Sequence, residues 1–446
     1  MSQKTNYRPA FIVVTTLFFM WGFITVLVDA LIPRLRDVFE LSYFEAGLVQ
    51  FAFFTAYFVF SIPGGYLISK IGYKKGAVVG LITMGAACLL FYPAASFRLF
   101  PIFLLALFVL AGGITILQVA ANPYVAALGP DRTSSSRLNL AQAFNSLGTT
   151  IAPLVSAAFI LSSSVASSAE VSAMGQAQQL AYYEAEAAAV QGPFVILAIV
   201  LIILAGLFSV FKLPKILEGD DNKSGSYSVA LKTKHLMLGA LGIFVYVGAE
   251  VTIGSYLVNY FLQLDIETLV EGSAVMSSIA AGLSTVFSDT SIQDMNASQL
   301  AGTYVFFYWG GAMVGRFIGA GLMQKLNAGN LLGIYGLVNV SLILISMFSG
   351  GLTAMWTILA VGLFNSIMFP TIFTLAIKKL GKHTAQGSGI LCTAIVGGAI
   401  IPPFYGFLAD SIGLQMGLFL PILCYLYISW YGKKGSKIEL EQAPAA

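Results

Sequence analysis

The composition of this chain excludes a soluble globular protein. Its 446 residues are 58% hydrophobic and only 10% charged, whereas soluble domains average about 45–50% apolar and about 25% charged residues. The net charge of +3 is too small to indicate a nucleic-acid partner, and apolar runs of the roughly 20 residues that cross a bilayer recur from end to end. We therefore predict an all-α protein embedded in the lipid bilayer.

Twelve apolar runs are long enough to be transmembrane helices. They lie at 10–34, 43–70, 75–95, 99–128, 138–162, 191–212, 235–263, 301–325, 330–349, 352–378, 385–409 and 412–432. An even number of spans places both termini on one side of the membrane. If that side is the cytoplasm, only Arg34, Arg36 and Arg98 of the 23 basic residues lie outside, which agrees with the excess of Lys and Arg in cytoplasmic loops. Both termini are therefore predicted to be cytoplasmic.

The second half of the chain repeats the first at an offset of about 250 residues, as in transporters with internal structural repeats. The segment 63–71 after the second span resembles 318–326 after the eighth, and Gly148 corresponds to Gly398. The predicted domains are an N-terminal six-helix half at 1–212, a central cytoplasmic loop at 213–234, a C-terminal six-helix half at 235–432 and a cytoplasmic tail at 433–446. Such repeats are typical of secondary transporters, whose substrate site lies near the membrane midplane between the halves.

The two longest outer loops, at 163–190 and 264–300, are acidic or neutral, and we interpret their charges as solvated loop charges. Residues 176–191 are rich in Ala, Glu and Gln and could form a helical turn or two at the surface. Both histidines, His235 and His383, lie among lysines in the inner loops. We predict that they are solvated.

One carboxylate, Asp29, lies near the end of the first apolar run. An ionised side chain within a span costs roughly 2.5–3.5 kcal/mol on insertion scales, so such a residue normally faces a polar cavity or binds a proton or another cation. The alternative is that Asp29 lies just past the hydrocarbon, where Pro33 and Arg34 mark the exit of the helix.

Amide side chains follow one face of two other spans. Gln118 and Asn122 are four residues apart in the fourth span, and Asn139, Gln142 and Asn145 recur every three residues in the fifth. An amide offers both donors and acceptors, which suits a neutral polyhydroxyl ligand. Five such residues on two faces favour a polar cavity, although amides also form hydrogen bonds between packed membrane helices.

In the second half, Glu250 is an acidic residue deep within the seventh span. Three roles are open for it: accepting a hydrogen bond from a ligand hydroxyl, binding the coupling ion, or forming a structural pair with Arg316. Asn259 lies nine residues further on, on the opposite face of an unbroken helix. A break near residues 254–255 would bring Asn259 to the same face as Glu250.

Three more residues are candidates for lining the same cavity. Asn365 and Phe369 are four residues apart in the tenth span, just before Pro370. Trp309 in the eighth span could stack on the C–H face of a ring, although aromatic residues in membranes more often pack or anchor helices.

A basic, glycine-containing motif is predicted at the cytoplasmic ends of the helices. We interpret its members as a cytoplasmic gate that makes contacts in one conformation and loses them in the other, with anchoring by the positive-inside rule as the alternative. They are Gly65, Lys70, Gly72, Lys74, Lys75, Arg316 and Lys325.

Several of these segments resemble a known family. The loop 65–75 resembles the signature between spans two and three of the major facilitator superfamily, although Ser69 stands where many members have aspartate. The segments 115–124, 137–148 and 369–373 resemble the fucose/proton symporter family and, closest, its bacterial glucose/galactose branch. The resemblance covers nearly all spans.

The resemblance implies the major facilitator fold, twelve helices in two pseudo-symmetric halves, in the inner membrane of a bacterium. It also implies a role in proton coupling for Asp29, whereas Gln118 stands where the fucose symporter has a glutamate.

We therefore expect a cation-coupled hexose importer that works by alternating access, with glucose or galactose as the substrate. The coupling ion is a proton or sodium. The sequence has no Ser-His-Asp order, metal-ligand cluster or phosphate-binding loop, so we predict neither an enzyme nor a cofactor. Nothing in the sequence requires more than a monomer. The alternatives are transport of fucose or of an amino sugar such as N-acetylglucosamine, and a membrane sugar sensor that does not transport.

Overall fold

The computed structural model describes residues 7–39, 43–97, 99–159, 173–216, 225–287 and 295–437, and these residues are almost entirely helical. The helices are α1 Arg8–Phe39, α2 Tyr43–Ile71, α3 Tyr73–Phe97, α4 Phe100–Ala127, α5 Ser134–Phe159, α6 Gln176–Val210, α7 Tyr227–Lys232, α8 Lys234–Gln263, α9 Ile266–Glu271, α10 Ala274–Phe287, α11 Ala297–Leu322, α12 Ala328–Phe348, α13 Gly351–Asn365, α14 Met368–Ala376, α15 Thr384–Thr393, α16 Gly397–Ile412, α17 Leu414–Gly417 and α18 Phe419–Trp430.

Each of the twelve predicted spans coincides with helical structure. Eleven segments of the described chain are long and apolar enough to cross a membrane. The fifth predicted span, α5, is also a helix of 26 residues. It is less apolar because serines and amides interrupt its apolar pattern. The tenth span is made of two helices, α13 and α14, separated at residues 366–367.

The predicted outer loops contain more helix than the sequence analysis expected. Residues 176–191 are not an isolated turn or two but the first half of the 35-residue helix α6. At 1.5 Å per residue α6 is about 52 Å long, more than the roughly 30 Å of the hydrocarbon core. Its Ala, Glu and Gln residues are strong helix formers, so the helix continues past its apolar part. The loop at 264–300 contains α9 and α10, which bury apolar side chains such as Val270 and Met276.

The chain divides into two compact units. The first comprises Met1–Tyr124, Leu147–Gly225 and Thr384–Thr393, and the second comprises Val125–Ser146, Ser226–His383 and Ala394–Ala446. Each unit therefore contains most of one predicted half together with one segment of the other. The predicted domain boundaries at 213–234 stay a prediction.

In the first unit, small residues allow helices to pack closely. A Cβ atom on Gly80 of α3 would lie 2.8 Å from the carbonyl oxygen of Gly113 in α4, and one on Gly148 of α5 would meet the carbonyl of Phe19 in α1. Close approach of this kind is typical of small residues between membrane helices. The core adjoining α3 is aromatic, with the ring of Phe91 stacked 4.2 Å from that of Phe194 in α6.

The second unit repeats one of these contacts and adds a glycine stripe. Gly397 of α16 lies against the carbonyl of Phe244 in α8, as Gly148 does against Phe19 in the first unit. The sequence analysis pairs Gly148 with Gly398, the residue next to Gly397. The glycine stripe is formed by three residues of α11 at intervals of four, which pack against α13 and the start of the break that follows it. They are Gly311, Gly315 and Gly319.

The turn between α4 and α5 is held by one arginine. Arg137 donates hydrogen bonds to backbone carbonyls in the last turn of α4 and just after it, and to one hydroxyl. The carbonyls are those of Val125, Ala126, Gly129 and Pro130, and the hydroxyl is that of Thr133. Burial lowers the pKa of Arg137 to about 10, against the opposing effect of Asp131. The guanidinium therefore stays charged near neutral pH and caps the carbonyl end of α4.

Candidate functional site

The ion-coupling candidate Asp29 lies on α1, whose helix continues from Arg8 to Phe39. The side chain of Asp29 is outside the described part of the structure. Its assignment to ion coupling therefore stays a prediction.

In the first unit, Gln118 and Asn122 lie on α4 as predicted. The amide nitrogen of Gln118 donates to the hydroxyl of Tyr57 in α2 over 2.9 Å. The amide oxygen of Gln118 is buried and accepts no hydrogen bond from the described residues, whereas Asn122 is fully buried. A buried acceptor without a donor is costly, so Gln118 offers a position for a ligand hydroxyl or a water molecule.

In the second unit, Asn139 belongs to a packed polar cluster rather than to an open surface. Its amide nitrogen donates to the carbonyl of Ser135 over 2.8 Å and to the hydroxyl of Thr371 over 3.2 Å. The hydroxyls of Ser135 and Thr374 share a further hydrogen bond of 2.6 Å. Asn139 is fully buried, so in this conformation its amide joins α5 to α14.

The other two amides of α5 differ in exposure. Gln142 is 7% exposed, and Asn145 is half-buried. Asn145 is thus the most solvent-accessible of the three predicted amides on this helix. The assignment of both residues to substrate binding stays a prediction.

Glu250 lies on α8 with its carboxylate held by a tyrosine. The hydroxyl of Tyr246, one helical turn earlier, donates to Glu250 Oε1 over 2.6 Å. Tyr246 is buried and Glu250 is half-buried. Because α8 is unbroken from Lys234 to Gln263, Asn259 does not share this face, and its side chain is exposed.

A chain of hydrogen bonds connects three helices to Glu250 on α8. The amide of Asn339 in α12 donates to Asn365 at the end of α13 over 2.8 Å, and Asn365 donates to the hydroxyl of Tyr308 in α11 over 2.8 Å. Tyr308 in turn donates to the backbone carbonyl of Glu250 over 3.2 Å. Asn365 is fully buried and uses both ends of its amide, so in this conformation it orients Tyr308 and α8.

Arg316 lies where α11 meets the break in the tenth span. Its Nε donates to the carbonyl of Ser366 over 3.2 Å, and its Nη1 donates to the hydroxyl of Ser146 in α5. No described contact joins its side chain to the carboxylate of Glu250. The structural Glu250–Arg316 pair considered from the sequence is therefore not formed in the described residues of this conformation.

The predicted aromatic lining is partly accessible. Trp309 is 48% exposed and lies edge-on to Tyr308, with ring centroids 5.1 Å apart. Phe369 is half-buried and packs 6.0 Å from Phe373. Both assignments to substrate binding stay predictions.

The basic motif after α2 makes contacts within the first unit. Gly72 has a φ of +82°, which allows the tight turn from α2 into α3. Lys74 donates to the carbonyl of Ser209 near the end of α6 over 2.6 Å, whereas Lys70 lies over the ring of Tyr66 at 5.6 Å. Lysine at a helix C-terminus is favourable for the dipole as well as for the unpaired carbonyls.

The remaining motif residues are Gly65, which is buried, and Lys75 and Lys325, which are exposed. No described contact of Lys75 or Lys325 distinguishes a gate from an anchor. Their role stays a prediction.

Comparisons with known proteins identify the family. The model of the Major Facilitator Superfamily matches residues 10–403. The chain belongs to the major facilitator superfamily. This superfamily member is 49% identical over 440 residues to a glucose/galactose transporter of Brucella abortus biovar 1 (strain 9-941), covering 98% of this chain and 96% of the relative. It is 35% identical over 434 residues to the L-fucose-proton symporter of Escherichia coli (strain K12), covering 96% and 93%.

A solved structure agrees with this assignment. The crystal structure of a major facilitator superfamily transporter, FucP, in the outward conformation matches with a TM-score of 0.85 at 33% identity, covering 97% of this chain and 100% of that chain. The predicted family, the twelve-helix major facilitator fold and the multi-pass membrane location are thereby confirmed. The protein is a transporter rather than an enzyme.

Sequence reasoning missed several residues that hold the superfamily member's polar sites. The sequence analysis did not predict a polar role for Tyr57, Tyr246 or Tyr308. It also did not select Asn339, which lies within an apolar span. One signal was available: Tyr246 precedes Glu250 by four residues, the spacing at which side chains meet on a helix. The prediction that His383 is solvated was also wrong. His383 is only 7% exposed, and its Nδ1 accepts a hydrogen bond from the backbone of Ser226 over 2.8 Å.

Proposed function

We propose that this protein imports a hexose, glucose or galactose, together with a cation by alternating access. The observation that carries the proposal is the 49% identity to a glucose/galactose transporter along 98% of this chain. A likeness of this extent includes the segments that contain every candidate site residue. Because both termini are predicted to be cytoplasmic, the sugar would enter from the opposite side of the membrane.

The described polar side chains support a neutral polyhydroxyl ligand. The first unit offers Gln118, whose amide oxygen is an acceptor, and the second offers Glu250, whose carboxylate has lone pairs beyond the one used by Tyr246. A sugar hydroxyl donates and accepts at once, so each of these groups, within its own unit, can replace a hydrogen bond to water. Trp309 adds a half-exposed ring of the kind that packs against apolar C–H groups.

Asp29 is our candidate for binding the coupling ion, which is a proton or sodium. One charge moving across 100 mV supplies about 2.3 kcal/mol, whereas each tenfold accumulation of a neutral sugar costs about 1.4 kcal/mol. One cation per sugar therefore supports more than a tenfold gradient. A monomer in the bacterial inner membrane, without a further cofactor, is sufficient for this mechanism.

The test is sugar-induced charge movement in proteoliposomes that contain the full chain. Glucose, galactose, fucose and N-acetylglucosamine are applied in turn, each with and without sodium at fixed pH. We expect a current with glucose or galactose, and its dependence on sodium or on pH identifies the ion. A current with fucose alone would replace the proposed substrate, since the symporter relative at 35% identity is named for that sugar.

Binding without current would refute symport. Isothermal titration of the same four sugars in detergent separates the remaining cases. Sugar binding with passive flux indicates a uniporter, whereas binding with no flux indicates a sensor. Either result removes Asp29 from the coupling role.

A further inference from the structure

A proline in each of two spans frees a backbone carbonyl, and another helix supplies the missing donor. In α4, Pro123 has no N–H to give to the carbonyl of Val119, and the hydroxyl of Ser388 donates to it over 2.8 Å. In the tenth span, Pro370 leaves the carbonyl of Ser366 without its donor four residues on. Here the donor is the charged Nε of Arg316, at 3.2 Å.

The position of Arg316 is determined by that carbonyl and by the close approach of α11. A Cβ on Gly315 would lie 2.5 Å from Ser366 Oγ, so the absence of a side chain lets Arg316 reach the break. The guanidinium also donates, through Nη1, to the hydroxyl of Ser146. Among the described residues, the partners of Arg316 are thus a carbonyl and a hydroxyl rather than an anion.

The alternative partner for Arg316 is Glu250. Both residues belong to the same unit and lie on neighbouring helices, because Tyr308, about two turns before Arg316 on α11, donates to the backbone carbonyl of Glu250 over 3.2 Å. In a largely desolvated site an arginine and a carboxylate attract strongly, and a two-pronged pair would occupy the oxygens of Glu250. A neutral sugar would then have to displace a charged group. In the described structure Glu250 is instead held by the neutral hydroxyl of Tyr246 at 2.6 Å.

We propose that Pro370 is a positioning residue of the sugar site: by leaving the Ser366 carbonyl without a helical donor, it retains Arg316 there and keeps Glu250 free to accept hydroxyls of a hexose. This inference rests on the proposed function. It assigns to Glu250 the first of its three roles, and it makes the arginine–carbonyl contact a condition of sugar affinity.

The experiment restores the missing donor with Pro370→Ala. The new N–H can donate to Ser366, which weakens the hold on Arg316 and allows it to pair with Glu250. We expect the affinity for glucose or galactose, measured by isothermal titration on the full chain, to fall by about ten- to a hundredfold, the range for losing a hydrogen bond to a charged group. Adding Arg316→Gln to Pro370→Ala removes the competing cation and should restore most of the lost affinity.

The rescue separates this proposal from simple damage to the helix. Pro93→Ala, which removes a proline from within α3, is the matched control and should leave affinity unchanged. Unchanged affinity in Pro370→Ala, or a loss that Arg316→Gln fails to rescue, overturns the proposal. If the wild-type protein binds none of the four sugars tested above, the proposed function fails instead, so the two failures are distinguishable.

Discussion

The glycine stripe of α11 offers a direct test of how closely α11 and the tenth span must pack. In Gly315→Ala the added methyl group would lie 2.5 Å from Ser366 Oγ and would also meet the carbonyl of Leu363. Ordinary contacts between heavy atoms are about 1 Å longer. Because a backbone carbonyl cannot rotate away, α11 and the tenth span must separate.

The cost of that separation follows from the contacts between the helices. Overpacking costs roughly 1–3 kcal/mol, and weakening the hydrogen bonds from Arg316 to Ser366 and from Asn365 to Tyr308 costs about 1 kcal/mol each. Replacing glycine by alanine in a helix returns about 1 kcal/mol. We therefore expect Gly315→Ala to lower the free energy of unfolding by about 2–4 kcal/mol.

Thermal unfolding in detergent, followed by loss of the monodisperse chromatographic peak, measures this effect. Gly302→Ala in the same helix is the matched control, because nothing lies within 4 Å of its added Cβ, and its midpoint should stay the same or rise. If Gly315→Ala unfolds at the same temperature as Gly302→Ala, the close packing described for α11 is wrong.

Three further predictions concern other parts of the transporter. Asp29→Asn should abolish sugar accumulation while preserving sugar exchange across the membrane; normal accumulation would remove Asp29 from ion coupling. Arg137→Gln should destabilise the protein by roughly 2–4 kcal/mol, since its carbonyl partners lose charged donors, whereas Arg132→Gln, at an exposed position, should not change the thermal midpoint. Asn365→Ala should lower both stability and sugar affinity, since Tyr308 loses its donor; unchanged values in titration and thermal unfolding would show that the hydrogen-bond chain is dispensable.

Much of the fold was predictable because the bilayer imposes a local rule. A helix that crosses it needs about 20 apolar residues, and this can be read one segment at a time. The internal repeat was also visible in the sequence, because Gly148 and Gly398 occupy corresponding positions in the two halves. The length of the helix at residues 176–191 was underestimated, because outside the membrane the length of a helix depends on propensity and capping. These are weaker signals than hydrophobic length.

The sequence was enough to select the residues of the polar sites but not to predict their hydrogen-bond partners. A buried carboxylate or amide in an apolar run is conspicuous by its cost, so Glu250, Gln118 and Asn365 could be selected from the sequence. Whether such a group faces a ligand or another helix depends on which side chains lie opposite. Asn365 meets Tyr308 and Asn339, and only the packing of the helices shows that its amide is occupied.

Hydrophobic length, charge bias and internal repetition can be read from the chain as written, and together they predict a polytopic transporter. The packing of the helices was needed to show that Arg316 contacts Ser366 and Ser146 rather than Glu250. These partners are distant along the chain, and the choice among them depends on a missing proline N–H and a glycine that permits close approach. The proline can be read from the sequence, but which donor reaches the free carbonyl depends on the distances between packed helices.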